Sequence, residues 1–270
     1  MNKQVPGGYG ISGSGNGGDP KVSVVVITLN EEKNIGDCLQ SVSWADEIIV
    51  VDSFSEDDTL SIARQHSRVV VQSKWPGMVG AQRNVGLDMA TSPWVLFLDA
   101  DERVTEELQG ELHRFVRRDD AILFAGGEIP RKNYFFGKWL KSSYPDFTRR
   151  LLRRGAGRFN ETPGRGFDTL LFSDGSVFRF RGPLIHWTGE TLAQRMRKLD
   201  FDTTLQAEEK FRAGKRVPFL GLLVNPLLAF LRVYFLKKGF LDGSRGFVYA
   251  CLVSFNTFMK YAKLWEKRLS

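Results

Sequence analysis

Trp94-Val95-Leu96-Phe97-Leu98-Asp99-Ala100-Asp101 places five apolar residues directly before two carboxylates spaced one residue apart. A short, continuous apolar run reads as a strand buried on both faces, the environment of a parallel sheet covered by helices. Asp99 and Asp101 then fall just past its carboxyl end, the edge at which open α/β sheets bind ligands. Residues two apart point to the same side of a strand, so the two carboxylates can face one point. Paired anionic oxygens there suit a hard divalent cation, Mg²⁺ or Mn²⁺. The plainer alternative is that Asp101 or Glu102 begins the next helix, Thr105 to Val116, which carries acids in its first turn.

The residues on either side repeat the pattern. Val22 to Thr28 is a β-branched run and predicts a buried strand. Leu29-Asn30-Glu31-Glu32 turns out of it into a helix ending near Ser43. Glu47 to Val51 is a second strand ending at Asp52-Ser53, and Ser55 with Asp58 forms the pattern of a capping box opening a helix to His66. Arg68 to Gln72 is a short third strand, Gly77 to Gly80 a loop, and Ala81 to Ala90 a helix leading to the Trp94 strand. Such alternation predicts a parallel, right-handed βαβ sheet.

Beyond residue 120 the pattern changes. Ala121 to Ile129 and Asp168 to Phe180 read as strands, with an irregular basic stretch, Arg131 to Arg165, between them. Its pairs Arg149-Arg150 and Arg153-Arg154 form either a solvated basic face or an anion-holding loop near the site. A long helix is expected over Leu192 to Arg212, with Leu192, Met196, Leu199 and Thr203 as its buried stripe. Val217 to Leu236 is apolar enough to raise the question of a membrane span, but Pro218 and Pro226 interrupt it and Arg232 would lie deep in the bilayer. Asn225-Pro226 reads as an N-cap followed by Pro at the first helical position. A helix from Pro226 to Lys238 would be only ~20 Å long, short of the ~30 Å of hydrocarbon. A second helix follows from Ser244 to Arg268 after Gly239 and Gly243. Apolar and aromatic residues with scattered Lys and Arg suit helices lying on an anionic membrane surface. Packing against the catalytic part or a second subunit, in a homo-oligomer, is the alternative.

Composition sets wider bounds. The chain of 270 residues has 42% hydrophobic and 26% charged residues and a net charge of +7, values of a globular protein with a sizeable core. Its two cysteines, Cys38 and Cys251, support neither a disulfide framework nor a zinc site. Residues 1–20 are Gly-, Ser- and Asn-rich without an apolar signal segment and read as a disordered lead. The expected division is 1–20 lead, 21–213 catalytic domain and 214–270 helical appendage. The positive charge alone is compatible with nucleic acid, but no binding motif appears and the aromatics do not interleave with charge as a stacking platform, so no nucleic-acid partner is expected.

Thr28-Leu29-Asn30-Glu31, Asp52-Ser53, Gly80-Ala81-Gln82-Arg83-Asn84 and Asp99-Ala100-Asp101 lie at successive strand ends or the loops after them. In order and spacing they resemble the inverting family 2 glycosyltransferases of the GT-A fold, over about residues 21–200. The Val26-Ile27-Thr28-Leu29-Asn30-Glu31-Glu32 opening, the Trp44 to Ser53 strand, the Asp99 to Glu102 run and the basic, Phe-rich tail resemble the lipopolysaccharide-core β-glucosyltransferases, the WaaE-like group.

That resemblance implies a donor site in which Asp52 accepts a hydrogen bond from a uracil N–H. Thr28, Asn30 and Glu31 would line the nucleoside pocket, with Gly80 and Arg83 approaching the ribose and diphosphate. Asp99 would hold ribose or metal, and Asp101 would be the direct ligand of Mg²⁺ or Mn²⁺. His186, in Pro183-Leu184-Ile185-His186-Trp187, matches a family His and would complete the metal site or contact the diphosphate. Plainer roles exist for each: Asp52 as a turn residue, Arg83 as a surface charge, His186 as a core histidine. Inversion needs a general base for the acceptor hydroxyl. The relatives carry a Glu there in a Val-His-Glu stretch. Gly166-Phe167-Asp168 corresponds to it here, which makes Asp168 the candidate, one methylene shorter and without the His. Glu161 and Asp146 are the alternatives. The implied activity is transfer of a hexose from a nucleotide sugar, UDP-hexose above all, to a lipid-linked or envelope glycan acceptor at the inner face of the cytoplasmic membrane. A sugar nucleotidyltransferase would carry a Gly-rich phosphate loop after the first strand, which Leu29-Asn30-Glu31-Glu32 is not. A catalytically inactive scaffold of the same fold is the remaining rival.

Overall fold

The structure, a computed structural model, describes residues 21–74, 78–161, 169–173, 175–188 and 191–269. Its first half follows the expected alternation: β1 (Val22–Thr28), α1 (Ile35–Ser41), β2 (Glu47–Asp52), α2 (Thr59–His66), β3 (Val69–Gln72), α3 (Val79–Met89) and β4 (Trp94–Asp99). β3, β2, β1 and β4 are neighbours in that order and all parallel. Every residue of β1 is buried, as its β-branched run requires. Val24 and Val26 face the α1 side with Ile35, Cys38 and Leu39. Val25 and Ile27 face the α3 side with Ile49, Val51 and Leu87. Helix α3 lies so close to the sheet that a Cβ on Gly86 would come within 2.3 Å of Val25 Cγ1, and glycine there is a packing requirement.

The helix expected from Ser55 starts at Thr59 instead. Ser55 gives its N–H and hydroxyl to the Asp52 carboxylate, and Asp57 receives the Thr59 N–H, so the acidic and hydroxyl residues build a turn before they build a helix. Gly80, expected in a loop, lies inside the first turn of α3. Glu102 begins no helix; Glu102–Val104 is a short strand, β5, and α4 (Glu106–Val116) starts after Thr105 caps it through the Leu108 N–H.

The second half is more regular than the sequence implied. The basic stretch from Arg131 forms β6 (Phe124–Phe135), β7 (Lys138–Trp139), β8 (Asp146–Arg153) and β9 (Gly157–Phe159). The strand expected over residues 168–180 is two, β10 (Leu170–Phe172) and β11 (Ser176–Arg179), around Gly175 at φ +85°. β12 (Leu184–Thr188) follows. The sheet continues past β4 as β8, β6, β12, β5, with β8 antiparallel to both β4 and β6 and β12 parallel to β6. This curled extension brings β5, β6, β8 and β12 beside the carboxyl end of β4.

Helix α5 spans Leu192–Arg212 as expected, but Leu192 is 50% exposed and the buried stripe is Leu199, Thr203 and Ala207. Helix α6 (Phe219–Leu231) runs without a break into a π turn over Arg232–Leu236. Pro226 therefore sits within the helix and Asn225 does not cap it; the Ser254 hydroxyl on α7 (Ser244–Glu266) donates to the Pro226 carbonyl. The continuous segment Phe219–Leu236 has 18 residues and is, by length and composition, able to cross a membrane.

Candidate active site

Parallel register aligns the strand ends. Thr28 pairs with Asp52 and Ile27 with Asp99, so three of the expected site residues arrive at one sheet edge. Asp52 is fully buried; Ser55 N–H (3.0 Å), Ser55 Oγ (2.5 Å) and Gln72 Nε2 (3.4 Å) donate to its carboxylate. The Thr28 hydroxyl is buried and has no hydrogen-bond partner among the described residues. Asn30, at φ +55°, accepts from Glu56 N–H and gives its own N–H to Ser55, while the Glu31 carboxylate accepts from Asn34 Nδ2 at 2.7 Å. Their present contacts shape the loop between β1 and α1. Phe54, two positions after Asp52, has φ +62° and is 54% exposed, and it carried no signal in the sequence.

Asp99 lies in a cluster of charges that the sequence did not reveal. Arg83 Nη2 reaches Asp99 Oδ1 at 2.5 Å and Arg150 Nη2 reaches Oδ2 at 2.6 Å. Glu102, fully buried, accepts from Arg150 (2.8 Å), from Arg131 (3.2 Å) and from the Asp99 N–H (3.1 Å). Burial would raise the Asp99 pKa, but the Arg150 and Arg83 guanidinium groups outweigh it and hold the carboxyl well below its usual range. Buried charges persist in such a place only when paired this fully. Two expectations change accordingly. Arg150 is no part of a solvated face. Arg83 is no surface charge; it is 1% exposed and bound to Asp99, with the Phe159 ring 5.1 Å from its guanidinium. Gly80 serves the same corner by packing, since a Cβ there would meet the Asn160 carbonyl at 2.8 Å.

Asp101 has different partners: β4 ends at Asp99, and Asp101 sits on the turn beyond it. Its Oδ2 lies 3.2 Å from His186 Nε2, and its Oδ1 is buried without a partner among the described residues. His186 Nδ1 lies 2.7 Å from Asn133 Oδ1. Asn133 Nδ2 donates to Asp146 Oδ2 (3.1 Å), which also receives Arg131 Nε and Nη2 (3.1 and 2.8 Å). Strand register explains the grouping, for His186 pairs with both Asn133 and Glu102, and Arg131 with Asp146. Because the Asn133 amide nitrogen is committed to Asp146, its oxygen faces His186 and the Nδ1 must carry the proton. Nε2 then presents to Asp101 either a second proton or a lone pair. Burial pulls the His186 pKa down, yet the Asp101 carboxylate more than offsets this and raises it above the ordinary value.

Among the described residues no three His, Cys, Asp or Glu side chains converge as a ready metal cage. Asp99 is engaged by arginine and offers no free ligand pair with Asp101. The orphaned Asp101 Oδ1 and the His186 Nε2 nonetheless put one oxygen and one nitrogen donor at the same spot. That set fits a divalent cation that takes the rest of its shell from substrate phosphates and water. Of the candidate bases, Asp168 lies outside the described residues. Glu161 accepts from Asn84 Nδ2 at 2.5 Å, and Asp146 is bound by Arg131.

Residues 23–175 match the family model described as Glycosyl transferase family 2. The chain belongs to that family. The glycosyltransferase is 29% identical over 254 residues to the lipopolysaccharide core biosynthesis glycosyltransferase LpsC of Rhizobium meliloti, covering 91% of this chain and 92% of the relative. It is also 29% identical over 258 residues to an uncharacterized glycosyltransferase of Rickettsia typhi (92% and 88% covered). Among solved structures, the mannosyltransferase PcManGT from Pyrobaculum calidifontis, in complex with GDP-Man and Mn²⁺, aligns with TM-score 0.57 at 15% identity over 92% of this chain and 88% of that one. S. aureus TarS 1-349 in complex with UDP-GlcNAc aligns with TM-score 0.50 at 19% identity, covering 92% of both. The fold of this glycosyltransferase is GT-A, as the four sequence motifs implied.

Proposed function

We propose that this family 2 enzyme is a metal-dependent, inverting hexosyltransferase that moves a sugar from a UDP-hexose to a lipid-linked or lipopolysaccharide-core glycan at the inner face of the cytoplasmic membrane. Residues 21–213 would carry catalysis and 214–270 would face the membrane. The observation that carries the reading is the continuous polar chain from Arg83 through Asp99, Arg150, Glu102, Arg131, Asp146 and Asn133 to His186 and Asp101. It fixes Asp99 between two guanidinium groups at the end of β4 and Asp101 against His186 on the turn just beyond it. Asp52 and Thr28, with Phe54 two positions after Asp52, supply a fixed acceptor, an unsatisfied hydroxyl and an exposed ring at the adjacent strand ends, a set suited to a nucleoside. Asn30, Glu31 and Gly80 hold the loop and helix that frame it, and Arg83 and Arg150 keep Asp99 ionised for a ribose hydroxyl. Similarity to the LpsC relative supports the acceptor class.

Asp101 and His186 would hold Mg²⁺ or Mn²⁺. Such an ion stabilises the charge that grows on a departing nucleoside diphosphate. Since a protonated Nε2 cannot ligate, Mn²⁺-dependent UDP affinity should be full above the raised His186 pKa and fall as pH drops through it; calorimetry across that range measures it. His186→Ala should flatten the profile.

Asp168 is proposed as the base on sequence grounds. Asp168→Asn keeps size but cannot take a proton. Transfer should drop roughly 10²-fold or more with donor affinity unchanged, because the proton moves only in the transition state. A wild-type rate would move the role to Glu161 or Asp146. The reading as a whole is tested by incorporation of labelled sugar from UDP-hexoses into lipid-extractable core acceptors. No incorporation under conditions in which UDP binds would favour the inactive scaffold.

A further inference from the structure

One face of the C-terminal hairpin is apolar, continuous and uncovered by any described residue. Phe219, Leu220, Leu223, Leu227, Leu228 and Leu236 are between 55% and 80% exposed and recur at helical spacing. Leu222 and Val233, on the opposite side, are buried. Lys215 and Arg216 flank one end of the segment, Lys237 and Lys238 the other. Residues 214–270 hold ten of the 38 Lys and Arg but two of the 31 Asp and Glu, a formal charge of +8, which leaves −1 on residues 1–213. One of the two acids, Asp242, is buried and receives the Lys141 and Ser142 N–H groups.

Both ends of α6 are tied to the same folded body. Before it, the Lys215 carbonyl accepts from Arg268 at the end of α7 (3.1 and 2.7 Å). After it, Asp242 fastens the chain to residues 141 and 142, and Arg245 donates to the Phe136 carbonyl. Along α7, Lys263 pairs with Asp200 of α5 at 2.7 Å. A spanning helix of ~27 Å at 1.5 Å per residue would part those ends across the bilayer. We propose that α6 is an in-plane anchor, its exposed face sunk into the headgroup and acyl boundary of an anionic bilayer with its lysines and arginines among the headgroups. A second copy of the chain is the poorer occupant, because pairing the two faces would bring like-charged rims together. The anchor is also joined to the site. Tyr249 of α7 stacks edge-on against Phe135 of β6 (5.9 Å between centroids), on the strand that carries Arg131 and Asn133. The idea rests on the lipid-linked acceptor proposed above only for its purpose, not for its physics.

Flotation of the purified full chain with vesicles tests it. Vesicles of mixed neutral and anionic phospholipid should bind the protein, and neutral vesicles should bind it at least about 10-fold less. Leu223→Glu/Leu227→Glu should reduce binding roughly 100-fold or more, from the apolar area lost. Lys237→Glu/Lys238→Glu, or salt near 0.5 M, should reduce it about 10-fold. With Cys251→Ser as background, Leu220→Cys and Leu236→Cys carrying a fluorophore should report equal, shallow depth to lipid-borne quenchers. Unequal depths, failure of the wild type to bind anionic vesicles, or a solution dimer that Leu223→Glu/Leu227→Glu dissociates without any change in vesicle binding would each overturn the anchor. UDP affinity, measured on the same samples, should be unchanged by every variant, so the anchor and the donor site stand or fall separately.

Discussion

Asp101→Ala should cut sugar transfer by roughly 10³-fold or more, the rate equivalent of the several kcal/mol that an ion contributes at a leaving diphosphate. Among the described residues the side chain makes one hydrogen bond, to His186, and it sits on a turn outside both core clusters. Truncation should therefore leave the unfolding midpoint nearly unchanged. UDP affinity should lose its dependence on Mn²⁺, and Asp101→Asn should behave like Asp101→Ala because a neutral amide is a poor ligand for a hard cation. Transfer assays with calorimetry on both variants give the answer. Residual transfer within about 10-fold of wild type, with metal linkage intact, would remove Asp101 from the metal site.

Glu102→Ala should act on stability first. The carboxylate is fully buried and accepts from Arg150, Arg131 and the Asp99 N–H. Removing one partner of a buried ion pair typically costs about 3–5 kcal/mol, because the remaining charges stay desolvated. Asp99 and Asp146 retain part of the compensation, so the lower half of that range is expected. Glu102→Gln keeps the shape and one acceptor, and should lose only about 1–3 kcal/mol. Urea unfolding of both variants measures the difference. If Glu102→Ala does not fold, Glu102→Gln still reports, and its donor affinity should weaken as Asp99 and Arg150 lose their fixed positions. A loss below about 1 kcal/mol in Glu102→Ala would mean that water fills the site and the network is less tightly built than its distances imply.

The half of the fold legible in the sequence is the half where burial is simple. β1 and β4 are covered on both faces, so Val22–Thr28 and Trp94–Leu98 appear as apolar runs, and α5 is a long periodic segment whose limits are those expected. β8 and the part of β6 beyond Ile129 were not legible because their polar residues do not face water. Arg131, Asn133, Asp146 and Arg150 point into a shared polar core, which erases the alternation that marks a strand. α6 was misread for a local reason: Asn225-Pro226 has the composition of a helix start, but packing against α7 carries the helix through the proline.

The site divides in the same way. Asp52, Asp99 and Asp101 stand at strand ends that periodicity can find. The partners of Asp99 cannot be found so, because Arg150 reaches it through the antiparallel register of β4 and β8 across 51 positions in sequence. A basic pair in an apparently irregular segment gives no hint of that pairing. Glu102 stood in plain view within the Asp99 to Glu102 run, yet only β5 pairing with β12 shows that it is buried rather than a first-turn helix acid.

Calorimetric titration of the wild-type protein with UDP, with and without Mn²⁺ at neutral pH, tests the central claim most directly. Binding should be at least about 10-fold tighter with the metal, corresponding to about 1.4 kcal/mol, and a chelator should return the affinity to its metal-free value. Equal affinity in the two titrations would contradict a metal site built on Asp101 and His186, and absence of UDP binding in both would contradict the nucleotide-sugar donor itself.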